Sequence, residues 1–140
     1  MLRRLAFVAA TILSISTSLA LADDPLFQDL GGRDGIVTIV NDTTVNLLAD
    51  PRIKADWDNT DMNRFKANLA DRLCVVAGGP CVYKGHTMHE AHKGFHLTNA
   101  DFNAVVEDLQ AGMSKAGVPF ATQNRLLARL APMQRDIVTK

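Results

Sequence analysis

Four histidines fall within eleven residues, as His86-Thr87-Met88-His89-Glu90-Ala91-His92-Lys93-Gly94-Phe95-His96. Neutral imidazole ligates zinc, copper or iron, so such a cluster invites a metal. Helical spacing works against a shared centre, because positions 86, 89 and 92 spread around a helix at about 100° per residue. His92 and His96 are four apart, but Gly94 between them weakens any helix there. The two cysteines, Cys74 and Cys81, flank Gly78-Gly79-Pro80, where the chain can reverse. A disulfide between them would contribute about 2–3 kcal/mol by loop closure, and two unpaired, partly buried thiols are the alternative. No Gly-x-Ser-x-Gly, no His-Glu-x-x-His and no Gly-rich loop opening a helix occurs. Hydrolytic and nucleophilic chemistry therefore lacks a constellation.

The elements that must position these residues read as helices. Leu26, Phe27 and Leu30 outline a short opening helix before Gly31-Gly32. Ile36, Val37, Ile39, Val40, Leu47 and Leu48 outline a longer one ending near Asp50-Pro51. Met62, Phe65, Leu69, Leu73 and Val76 share one helical face up to Gly78-Gly79-Pro80. Thr98 with Asp101 resembles a capping box for a helix through Phe102, Val105, Val106, Leu109 and Met113. A last helix carries Leu126, Leu127, Leu130 and Ile137, and Pro132 should interrupt it. The expectation is an all-α domain of four main helices and several short ones.

The first 22 residues have a different character. Arg3-Arg4, an apolar run from Leu5 to Ile15 and Ala20-Leu21-Ala22 before Asp23 form the tripartite pattern of a secretory signal peptide. Cleavage is preferred over retention as an anchor, since the run is short for a span of about 20 residues. The domain division expected is thus a leader over 1–22 and one domain over 23–140. The 140-residue chain carries 15 Lys+Arg and 15 Asp+Glu; without the leader, 118 residues carry 13 and 15, a net of −2. An exported, slightly acidic chain is a poor partner for nucleic acid or anionic lipid, and the expected location is the periplasm. No stable membrane insertion is expected after cleavage.

Larger blocks then carry a resemblance. They are Leu26-Phe27-Gln28-Asp29-Leu30-Gly31-Gly32, Leu48-Ala49-Asp50, and Thr60-Asp61-Met62-Asn63-Arg64-Phe65-Lys66. Further on come Gly78-Gly79-Pro80-Cys81-Val82-Tyr83-Lys84-Gly85 and the stretch from Met88 through His92 to Leu97-Thr98. Gly117-Val118-Pro119 and Leu130-Ala131-Pro132 complete the set. Together they resemble the group I truncated haemoglobins over nearly all of residues 25–138. The resemblance implies a truncated globin fold, a two-over-two helical sandwich around one haem b. It implies His92 of Met88-x-x-x-His92 as the proximal iron ligand. Phe65, Leu69 and Leu73 would face the distal side, and Met88, Leu97, Phe102 and Val105 the proximal side or haem edge. Tyr83, Thr60 and Lys66 would meet the propionates.

Departures from the family pattern bear on function. Many members carry Phe-Tyr where this chain has Thr43-Thr44, a distal Gln where it has Leu69, and Phe where it has Trp57. The expected distal side is therefore unusually apolar, with Thr44 and the Trp57 indole as the donors in reach. A hydrogen bond to a partly charged ligand is worth about 1.5–3 kcal/mol, so oxygen should be held less firmly and released faster. The function implied is binding or carriage of oxygen or nitric oxide, and nitric oxide dioxygenation or peroxidase-like chemistry is the alternative. No flavin or nicotinamide motif accompanies the domain, so a reductant would be a separate electron donor. A non-haem metal protein built on the four histidines and a globin scaffold without haem are the minor alternatives.

Overall fold

The structure, a computed structural model, describes residues 25–140. The proposed signal peptide lies outside the described residues. Seven α-helices follow in order: α1 (Leu26–Asp29), α2 (Gly32–Ala49), α3 (Met62–Val76), α4 (Met88–His92), α5 (Asn99–Lys115), α6 (Phe120–Leu130) and α7 (Gln134–Ile137). Short 3-10 turns occupy Lys54–Trp57 and Ala131–Met133. The four longest, α2, α3, α5 and α6, are those outlined by apolar periodicity. Pro132 falls in the 3-10 turn between α6 and α7, so the last helix is interrupted where its missing donor requires. Among the described residues no helix is long and apolar enough to cross a membrane.

Local chemistry sets the helix ends. The Asp61 carboxylate caps α3, accepting from the backbone N–H groups of Asn63 and Arg64, each at 3.1 Å. Thr98 and Asp101 form the expected capping box on α5. Thr87 and Glu90 form a second one on α4, unforeseen from sequence. Gly31, at φ +86°, supplies the left-handed turn from α1 into α2.

Helix α2 packs chiefly on α5 and next on α3, while the short α4 rests against α7. At the α2–α5 crossing the backbones approach closely at Gly112, where an added Cβ would lie 2.4 Å from Thr43 Oγ1 and 2.9 Å from the Thr43 nitrogen. Glycine inside a helix is otherwise unfavourable by about 0.8–1 kcal/mol against alanine, so this position serves the crossing.

Two apolar clusters result. The larger gathers Leu26, Ile36, Ile39, Val40, Leu73, Met113 and Leu126 among others. The smaller joins Leu47, Ile53 and Ala104 with Trp57, Phe65 and Val105. Cys74 and Cys81 are joined in a disulfide, with Cα atoms 5.9 Å apart, which fastens the segment after α3 back onto its last turn.

Candidate functional site

The two clusters do not merge. Leu73 and Leu109 from the first, and Leu47, Ile53, Trp57, Phe65 and Val105 from or against the second, line a common cavity of about 350 Å³. Its lining is mostly apolar, with α2 and α3 on one side and α4, α5 and the α6–α7 segment around the rest.

His92 is the last residue of α4 and lines this cavity. Its Nδ1 lies 2.7 Å from the Met88 carbonyl oxygen. A carbonyl can only accept, so Nδ1 carries the proton and donates, and Nε2 keeps its lone pair for a ligand. This is the second hydrogen bond that metal-binding imidazoles ordinarily make through their other nitrogen. The capping box holds the helix that presents it: Thr87 Oγ1 accepts from the Glu90 backbone N–H at 3.2 Å, and the Glu90 carboxylate accepts from the Thr87 N–H at 3.0 Å and hydroxyl at 2.8 Å. Those bonds, led by the Thr87 hydroxyl, hold the Glu90 carboxyl below its ordinary range.

His86, His89 and His96 are exposed and outside the lining. The chain leaves the helix after His92, with Gly94 at φ +87° and His96 at φ +55°. Among the described residues no three His, Cys, Asp or Glu side chains come together as a metal site. The spacing of the four histidines is thus incidental, and only His92 faces the cavity.

Of the thirteen residues singled out from sequence, eleven line the cavity: Trp57, Thr60, Phe65, Leu69, Leu73, Tyr83, Met88, His92, Leu97, Phe102 and Val105. Thr44 and Lys66 do not. Thr44 follows Thr43, so helix geometry turns it by about 100° away from the lining position. Its hydroxyl donates to the Val40 carbonyl of its own helix at 2.7 Å. Thr43 lines the cavity instead. Lys66, next to Phe65, is absent from the lining, to which α3 contributes Phe65, Asn68, Leu69, Arg72 and Leu73. The expectations that Thr44 is a distal donor and that Lys66 reaches the site are corrected accordingly.

Several lining residues escaped the sequence reading. Arg72 lies three residues beyond Leu69 and seven beyond Phe65, so the periodicity of α3 carried the signal. Met133 and Ile137 come from the chain's end and reach the cavity only because α7 folds against α4. No local pattern could have announced them.

Four buried side-chain polar atoms lack a hydrogen-bond partner among the described residues: Thr43 Oγ1, Trp57 Nε1, Arg72 Nε and Asp108 Oδ2. The first three belong to lining residues. Such orphans are uncommon and costly, and their concentration here fits a cavity built around an occupant with polar groups of its own. A large apolar body with polar edges and a metal open to one imidazole meets each requirement. Helices sandwiching such a cavity, closed by one pinned histidine, define a haem-pocket class of protein.

Comparison with known proteins places the chain more narrowly. Residues 25–139 match the family Bacterial-like globin. The chain is 35% identical over 115 residues to a group 1 truncated hemoglobin of Tetrahymena pyriformis, covering 82% of this chain and 95% of that protein. It is 30% identical over 114 residues to a group 1 truncated hemoglobin of Mycolicibacterium paratuberculosis, covering 81% and 84%. The crystal structure of the Tetrahymena pyriformis protein in its Fe(III) form superposes with a TM-score of 0.80, covering 82% of this chain and 98% of that one. The chain belongs to the bacterial-like globin family. Its fold is the two-over-two sandwich of the truncated haemoglobins, and its cofactor is haem b, at whose iron the family binds small diatomic ligands such as oxygen.

Proposed function

We propose that this chain is an exported truncated globin in which His92 Nε2 would hold the haem iron, which would bind a diatomic gas, oxygen or nitric oxide. The observation that carries the reading is the pinned tautomer of His92. With Nδ1–H committed to the Met88 carbonyl, the nitrogen left for the metal is fixed in identity and direction. Leu69, Phe65 and Leu73 form an apolar wall on α3, and the Thr44 hydroxyl is spent within its own helix. Trp57 Nε1 and Thr43 Oγ1 are buried and without a partner among the described residues, and Asn68 of α3 also lines the cavity. When bound, haem supplies an iron that takes one imidazole and one exchangeable small ligand. The chain's own part is to orient the imidazole, exclude water and leave the gas few hydrogen-bond donors.

An apolar ligand side suits reversible binding with fast release better than turnover that must hold oxygen while nitric oxide reacts. Any redox turnover would draw on a separate electron donor. The leader over residues 1–22 and the Cys74–Cys81 disulfide support export to an oxidising compartment such as the periplasm.

The test of the site is the absorbance spectrum of protein purified from haem-supplied cells. A Soret band is expected, lost in His92→Ala and kept in His89→Ala; a band that survives His92→Ala would overturn the assignment. Export is tested by amino-terminal sequencing of the mature protein, expected to begin at Asp23. A full-length protein confined to the cytosol would refute it.

A further inference from the structure

Arg72 is a cation set in the wall of a mostly apolar cavity, and among the described residues it makes no ion pair. It sits on α3 beside Leu73, with its guanidinium carbon 3.7 Å from the centre of the Tyr83 ring. At that distance the guanidinium lies over the face of the ring, in a cation–π contact. Tyr83 Oη donates to the His86 carbonyl at 2.7 Å, and Arg72 Nη2 reaches the same oxygen at 3.4 Å, a long bond. Arg72 Nε is buried and without a partner. The neighbouring carboxylate, Asp71, is taken by Arg33 at 2.7 Å. Of the carboxylates in the lining, Asp101 accepts from the Thr98 backbone and hydroxyl, and neither Asp101 nor Asp56 appears in an ion pair with Arg72. Beyond the long Nη2 contact to His86, no hydrogen bond from this guanidinium is made among the described residues, and unspent guanidinium donors are what carboxylates accept from.

We propose that Arg72 is an anion-binding residue of the cavity and that its ligand is a carboxylate carried by the haem, with Tyr83 as the platform that orients it. The proposal rests on the haem reading above. It assigns to Arg72 the role that the sequence had offered to Lys66. It also gives the Arg72–Tyr83–His86 unit a purpose: a carboxylate bound there joins α3 to the segment leading into α4 and His92.

The test compares wild type, Arg72→Met and Arg72→Lys, each reconstituted with protohaem or with its dimethyl ester, which lacks the carboxylate charges. The rate of haem transfer to excess apomyoglobin is read. With protohaem, Arg72→Met should release haem at least about tenfold faster than wild type, a loss in the range of a charge-assisted hydrogen bond. Arg72→Lys should fall between. With the dimethyl ester the three proteins should release at one rate. An equal Arg72→Met effect with both haems would show that Arg72 acts by packing on Tyr83, and no effect with protohaem would show that it binds nothing; either overturns the proposal. A wild type with no Soret band would remove the haem reading and this inference together, whereas a normal, His92-dependent band without the Arg72 effect removes this inference alone.

Discussion

The two walls of the cavity are built on opposite principles. The wall of α2 and α3 consists of helices of 18 and 15 residues, fixed by apolar packing and by a backbone crossing so close that only glycine fits at position 112. The wall that carries His92 is a helix of five residues with none of them buried, too short to persist by its own hydrogen bonds. It is held by a capping box, by the His92–Met88 bond and by α7 behind it. Packing can make a shaped apolar surface but cannot aim a lone pair. Directional hydrogen bonds can, and one of them fixes the His92 ring at the cavity.

Substitutions on each wall should therefore fail differently. Gly112→Ala forces the Thr43 side chain and backbone away from α5 and should destabilise the fold by about 1–3 kcal/mol, read as a lower denaturant midpoint. An unchanged midpoint would mean that the crossing relaxes freely. Leu69→Gln places a donor on the apolar wall and should slow oxygen release by about tenfold, measured by stopped flow; an unchanged rate would mean that position 69 does not face the gas.

The capping box on α4 gives the opposite wall a dependence on acid. Because the native bonds hold the Glu90 carboxyl below its ordinary range, their contribution is full above the unfolded-state value and is lost as pH falls through the native one. Glu90→Gln should lower haem retention at neutral pH and narrow its gap to wild type as pH falls through and below the ordinary carboxylate range, followed by Soret absorbance. A gap that stays constant with pH would refute the role of the charge. The smallest effect is expected from Thr44→Val. That hydroxyl bonds the Val40 carbonyl rather than the cavity, so oxygen release should stay within a factor of about two of wild type. A large acceleration would show that Thr44 reaches the gas after all.

The outlines of this molecule were legible wherever the information is local. Apolar spacing located α2, α3, α5 and α6, Thr98 with Asp101 announced a cap, and Pro132 marked the break before α7. Met88 and His92 stand four apart on one turn, so the bond that orients the imidazole is implied by spacing alone. Phe65, Leu69 and Leu73 reached the cavity because a helical face that is apolar must be covered by something.

Errors arose at single-residue resolution. Thr44 sits one position from the lining residue Thr43, a rotation of about 100°, and Lys66 stands beside Phe65 yet outside the lining. Which of two adjacent threonines turns inward depends on where α5 crosses α2, and no local pattern in the sequence records that. Helices and caps were readable from sequence because each depends on neighbours within a turn or two, and the family resemblance singled out His92, which lines the cavity. Tertiary packing is what leaves three of the four histidines outside the lining, brings Arg72 into the wall without an ion pair among the described residues, and adds Met133 and Ile137 to the lining. Those outcomes depend on which helices meet, and contacts between distant segments are set by the packing of the whole chain.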